Sequence, residues 1–120
     1  MNLKEYIRSI PDYPKKGILF RDITTLIKNE KAFKNTIDQI VERSKNFKVD
    51  KIAAVESRGF VFASAVSYIL NKPFVMLRKK NKLPSDTHSV DFQLEYGTAT
   101  IEVHKDSVDQ NESILIIDDL

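Results

Sequence analysis

The sequence predicts an α/β fold, a parallel sheet flanked by helices, on three observations. Ile52-Ala53-Ala54-Val55, Phe74-Val75-Met76-Leu77 and Ser113-Ile114-Leu115-Ile116-Ile117 are short continuous apolar runs, the pattern of strands buried on both faces. Between the first two lies an almost wholly apolar helical stretch closed by Asn71 and Pro73, so strand, helix and strand complete a βαβ unit whose right-handed crossover makes the strands parallel neighbours. Each run also delivers charge at its carboxyl end: Glu56-Ser57-Arg58-Gly59 after the first, Arg78-Lys79-Lys80 after the second, Asp118-Asp119 after the third. Parallel sheets bind their ligands just beyond those ends, which makes that rim the candidate site.

The other elements follow from spacing. Leu3, Tyr6, Ile7 and Ile10 recur at helical intervals and predict a short amphipathic helix stopped by Pro11, after which Pro11, Pro14 and Gly17 enforce a loop. Asn29 is placed to cap a surface helix that turns Phe33, Ile37, Ile40 and Val41 to one face. Arg78 to His88, basic and broken by Pro84, reads as a loop. Val90 to Glu95 and Thr98 to His104 read as two extended segments about Tyr96-Gly97, the second alternating Ala99, Ile101 and Val103 with polar residues in the two-residue period of a sheet with one wet face. Residues 1–120 make one domain with no internal repeat or linker.

Composition narrows the function classes. Nineteen basic against seventeen acidic side chains give a net charge of +2, too small an imbalance to favour a nucleic-acid face. The absence of cysteine removes disulfide, zinc-thiolate and thiol-nucleophile chemistry and fits a reducing compartment, the cytoplasm by default. The amino terminus mixes charge into its apolar positions and offers no export signal, and the apolar stretch Phe60 to Leu70 is too short for a membrane span.

Three groups of residues can carry chemistry. Backbone amides at a strand-to-helix turn can bind an anion, and Arg58 adds a planar fork of permanent charge; the same turn can equally be an ordinary one with Ser57 as helix cap. Arg78-Lys79-Lys80-Asn81-Lys82 puts four cations in five residues on the same rim, either as a solvated loop or as a clamp for a multiply charged anion. Asp118 and Asp119 can accept hydrogen bonds from vicinal ribose hydroxyls or help hold hydrated magnesium. Glu95 stands beside the Gly97 bend, where a loop could present it to a site, or simply be exposed. His88 and His104 lack ligand-spaced partners, and Ser57 lacks a visible triad, so none is assigned a metal or catalytic role.

In order, Pro14-Lys15-Lys16-Gly17-Ile18-Leu19-Phe20-Arg21-Asp22-Ile23-Thr24, Glu56-Ser57-Arg58-Gly59-Phe60, Leu77-Arg78-Lys79-Lys80, Lys82-Leu83-Pro84, Leu94-Glu95-Tyr96-Gly97 and Ile116-Ile117-Asp118-Asp119-Leu120 closely resemble the adenine phosphoribosyltransferases, of the type I phosphoribosyltransferase family, across essentially the whole chain. The resemblance implies transfer of 5-phosphoribosyl from phosphoribosyl pyrophosphate (PRPP) to adenine, giving AMP and pyrophosphate, with Mg2+ in purine salvage. It implies an amino-terminal hood, residues 1–28, for the base, and a flexible two-stranded loop. Phe20 would stack on adenine while the backbone near Leu19 and Arg21 reads the base edge. Arg58, Arg78, Lys79 and Lys82 would neutralise pyrophosphate, Glu95 would be catalytic, Tyr96 would help close the loop, and Asp118 and Asp119 would hold the ribose hydroxyls, with no protein metal ligands. The intact protein is expected to be a cytoplasmic homodimer with small-molecule substrates and no nucleic-acid or membrane partner. In the family the acidic pair runs on into an Ala, Thr and Gly loop that grips the 5-phosphate, so a chain truncated at Leu120 is expected to be nearly inactive and poorly stable. The alternatives are a non-enzymatic purine or PRPP sensor of the same fold and a phosphoribosyltransferase for another purine.

Overall fold

The computed structural model describes residues 1–94 and 97–119, which form two compact units, Met1–Glu42 and Arg43–Leu120. In the first, a 3-10 turn at Leu3–Tyr6 is capped by the Asn2 side chain, which accepts the Lys4 amide at 3.2 Å. The chain then extends as β1 (Arg8–Ile10), antiparallel to β2 (Phe20–Asp22) with Ile10 opposite Phe20. The predicted helix over residues 3–10 therefore survives only as its first turn. A peptide this short gains too few internal bonds to hold a helix against a competing strand partner, and the helical spacing of its apolar residues could not reveal that partner.

Asp22 organises this unit. Its Oδ2 accepts Arg8 Nε at 3.0 Å, while its Oδ1 accepts the Thr24 amide at 2.9 Å and the Thr24 hydroxyl at 2.6 Å where α1 (Thr24–Ile27) begins. The α2 helix (Glu30–Ser44) follows, with Asn29 as predicted accepting the Ala32 amide at 2.9 Å, and with Ala32 and Ile37 buried.

The second unit is built on β3 (Lys51–Val55), in which Ile52, Ala53 and Ala54 are buried. The α3 helix (Arg58–Leu70) runs back and ends where Asn71 adopts the left-handed conformation (φ 55°), a standard carboxyl-terminal stop. The β4 strand (Phe74–Lys79) then lies parallel to β3, with Val55 opposite Leu77, completing the predicted βαβ unit. The hairpin of β5 (Thr87–Leu94) and β6 (Gly97–His104) joins this sheet, and β7 (Ile114–Ile116) pairs parallel with β3 on its other side, giving the order β5-β6-β4-β3-β7. No helix among the described residues is long and apolar enough to cross a membrane.

Two expectations change. The sheet is mixed rather than all parallel, because β6 pairs antiparallel with β4 at Arg78–Glu102 and Lys79–Ile101. Arg78 and Lys79, expected in a loop, therefore belong to a strand. Among the described residues β7 pairs with β3, and Ile116 is 60% exposed.

Asp22 yields a pH prediction. Hydrogen bonds from the Thr24 hydroxyl and from Arg8, with the Thr24 amide, hold its pKa at about 2, below the ordinary 3.8. A depressed folded-state pKa contributes stability that is present above the ordinary value and lost as pH falls toward the depressed one. The Asp22 carboxyl carbon is expected to titrate near pH 2 by NMR, and Asp22→Asn should make stability less dependent on pH between about 4 and 2.

Candidate functional site

Three parallel strands bring their carboxyl ends to one rim of the second unit. Past β3 the chain turns through Glu56 and Ser57 into α3, and Ser57 makes no side-chain cap bond, so the amino terminus of the helix is not closed by its own hydroxyl. Arg58 stands at the first helical position, with Nη2 2.6 Å from Asp119 Oδ2. The contact is an ion pair rather than an aligned hydrogen bond, since the buried Oδ2 has no hydrogen-bond donor directed at it. Burial, followed by the hydrogen bond with Asp118, pushes the Asp119 carboxyl up, against the opposing charge of Arg58. Asp118, exposed beside it, accepts the Asp119 amide at 2.8 Å.

Gly59 makes this proximity possible. A Cβ there would fall 2.9 Å from Asp118 Oδ1 and 3.2 Å from the Ile117 carbonyl oxygen. The start of α3 and the end of β7 are therefore in close contact, and a side chain at position 59 would have to displace the Asp118 carboxylate and press on the Ile117 carbonyl.

Arg78 is held from two sides. Its Nε donates to Glu56 Oε2 at 2.8 Å, and its guanidinium lies 5.9 Å from the centre of the Phe60 ring, which itself meets Phe74 edge-on at 5.6 Å. Burial raises the Glu56 pKa, but the Arg78 hydrogen bond and the Lys79 amide and charge outweigh it, so Glu56 is held below the usual carboxylate range. Lys79 ends β4 and lines, with Val55, Glu56, Phe92, Ala99 and Ile101 among others, a cleft of about 460 Å³. Lys82 follows in the next turn, where its amide donates to the Lys79 carbonyl at 3.3 Å.

The structure thus brings Arg58, Arg78, Lys79, Asp118 and Asp119 to one rim, with Lys82 one turn beyond. The sequence reading missed Glu56 and the steric role of Gly59. A signal for Glu56 was available: one step past the Val55–Leu77 pairing, Glu56 and Arg78 fall side by side on the same face. Leu19, Phe20 and Arg21 lie together in the first unit, where the Phe20 and Tyr13 rings meet edge-on at 5.1 Å, Arg21 donates to the Ser9 hydroxyl, and Leu19 is half-exposed. Glu95 and Tyr96 fall outside the described residues. Among the described residues no group of three or more His, Cys, Asp or Glu side chains is arranged to hold a metal ion.

Residues 22–120 match the phosphoribosyl transferase domain model. Over all 120 residues the chain is 80% identical to the adenine phosphoribosyltransferase of Pelagibacter ubique, spanning 69% of that protein. The chain belongs to the adenine phosphoribosyltransferase family. The crystal structure of the family member from Thermoanaerobacter pseudethanolicus aligns with a TM-score of 0.92 at 46% identity, covering 95% of this chain and 66% of that one. The enzyme from Saccharomyces cerevisiae, complexed with an imino-altritol bisphosphate and adenine, aligns at 0.89 and 32% identity, covering 98% and 69%. The fold is the type I phosphoribosyltransferase fold, and the chain spans about two thirds of the length of these family members.

The contact at Gly59 sets a prediction. Gly59→Ala should displace the Asp118 carboxylate, press on the Ile117 carbonyl and destabilise the second unit by about 1 kcal/mol, the low end of the cost of overpacking. Urea unfolding of the two proteins side by side measures it.

Proposed function

We propose that the protein containing this chain transfers the 5-phosphoribosyl group of PRPP to N9 of adenine, releasing pyrophosphate and forming AMP in purine salvage. The observation that carries the reading is the pair of arginines on one rim, Arg58 in an ion pair with Asp119 and Arg78 held by Glu56, beside Asp118. As the bond from the ribosyl carbon to the diphosphate breaks, negative charge collects on the departing oxygens and the sugar becomes cation-like. Arg58 and Arg78, with Lys79 and Lys82, stabilise that departing charge more than the bound ground state and so lower the barrier. Because Glu56 holds Arg78 in place beforehand, little reorganisation is required as the charge develops.

Asp118 and Asp119 accept the ribose hydroxyls and orient the sugar for in-line attack. The base is held by the segment within residues 1–28, with Phe20 stacking on the purine and the backbone at Leu19 and Arg21 selecting its edge. Glu95 handles the proton at the purine or balances the positive sugar, and Tyr96 helps enclose it. Magnesium suits this donor set as a guest of the substrate: two adjacent carboxylates, one with an oxygen lacking a donor, are too few to cage the ion but enough to support one carried on the diphosphate. When bound, Mg2+ neutralises diphosphate charge; Asp118 and Asp119 are the residues that would stand beside it. We assign the intact protein to the cytoplasm as a homodimer.

Incubating the whole protein with PRPP, Mg2+ and adenine, hypoxanthine, guanine or xanthine in turn should give AMP from adenine far faster than any oxopurine product. Arg58→Ala should lower kcat/KM by about a hundredfold or more, as loss of one oriented charge does. Equal use of an oxopurine would contradict the adenine assignment, and binding of PRPP without turnover would favour a sensor.

A further inference from the structure

Glu102 takes no part in the site described above. It lies in β6 directly opposite Arg78 in β4, and directly opposed residues of an antiparallel pair share a face. A carboxylate so placed would ordinarily take the neighbouring guanidinium. Arg78 instead turns to Glu56, and both oxygens of Glu102 are engaged elsewhere: Oε1 accepts the Asn81 amide at 2.7 Å and Oε2 accepts the Thr87 hydroxyl at 3.0 Å.

Those two donors bracket residues 82–86, most of the segment joining β4 to β5. Asn81, just after β4, adopts a left-handed conformation (φ 69°) that turns the chain, and Thr87 is the first residue of β5. Along the same strand edge, His104 Nε2 accepts the Ser85 amide at 3.3 Å, and the Lys105 amide donates to the Asp86 carbonyl at 2.9 Å. Lys82 is carried between these ties, and Lys80 immediately precedes the first of them. An exposed segment without them would sample many conformations, and an anion binding to its lysines would have to order it at an entropic cost.

We propose that Glu102 is a positioning residue, a clasp that holds the segment between β4 and β5 so that Lys82 and its neighbouring lysines are presented to the diphosphate before it arrives. The inference rests on the proposed reaction for the identity of the anion. It also opposes simple electrostatics. Deleting a negative charge beside Arg78, Lys79, Lys80 and Lys82 should by itself strengthen anion binding, whereas loss of the clasp should weaken it.

The test compares wild-type whole protein with Glu102→Ala, Glu102→Gln and Thr87→Val. Gln keeps an oxygen for the Asn81 amide and can donate to the Thr87 hydroxyl oxygen, so it should preserve the bridge with the charge removed. The readouts are amide hydrogen exchange at Asn81 and Ser85, the inhibition constant of inorganic pyrophosphate, KM for PRPP and for adenine, and kcat. Glu102→Ala should speed exchange at Asn81 and raise both the pyrophosphate constant and KM for PRPP about tenfold, the equivalent of one lost charge-assisted hydrogen bond. KM for adenine and kcat should stay within about threefold, and Glu102→Gln should stay near wild type throughout. Thr87→Val, which removes one donor at lower risk to the sheet, should fall between. Unchanged or tighter pyrophosphate binding in both Glu102→Ala and Thr87→Val, or Gln as impaired as Ala, would overturn the clasp. Lack of turnover by the wild type would count instead against the proposed reaction, and Asn81 exchange would still report whether Glu102 orders the segment.

Discussion

The second unit depends on the close approach of the turn after β3 to the end of β7, with Gly59 as the point of contact. That approach places Arg58 within 2.6 Å of Asp119 and buries the aspartate against its neighbour Asp118. Like charges are adjacent and partly desolvated there, an arrangement that would be unfavourable without the guanidinium.

The two arginines are set differently. Arg58 faces a carboxylate whose pKa is raised, because burial and Asp118 outweigh the guanidinium; Arg78 faces one whose pKa is lowered, because burial is outweighed by the Arg78 hydrogen bond together with the Lys79 amide and the charges of both residues. The Glu56–Arg78 pair is an aligned hydrogen bond reinforced by the Phe60 face, whereas Arg58 meets Asp119 as an ion pair to a buried oxygen.

Much of this could be read from the residues. The runs at Ile52, Phe74 and Ile114, each ending in charge, located three parallel strands and their common rim, because burial period and strand-end chemistry are local signals. Asn29 and Asn71 marked helix ends for equally local reasons. What escaped was non-local. The β1–β2 pairing depends on Ile10 meeting Phe20 across a loop, and the mixed sheet depends on β6 pairing antiparallel with β4. The roles of Leu19, Phe20 and Arg21 came from family likeness, since nothing in their spacing specifies a purine.

If Arg58 and Arg78, seated at one rim with Asp118 and Asp119, grasp a diphosphorylated pentose together, both must respond to it at once. An NMR titration of the whole protein with magnesium PRPP, following the guanidinium Nε–H signals of both arginines and the backbone amides from Ser57 to Phe60, should show these signals moving together and saturating at one affinity. Signals that stay in place while residues away from this rim respond would contradict the joint grasp.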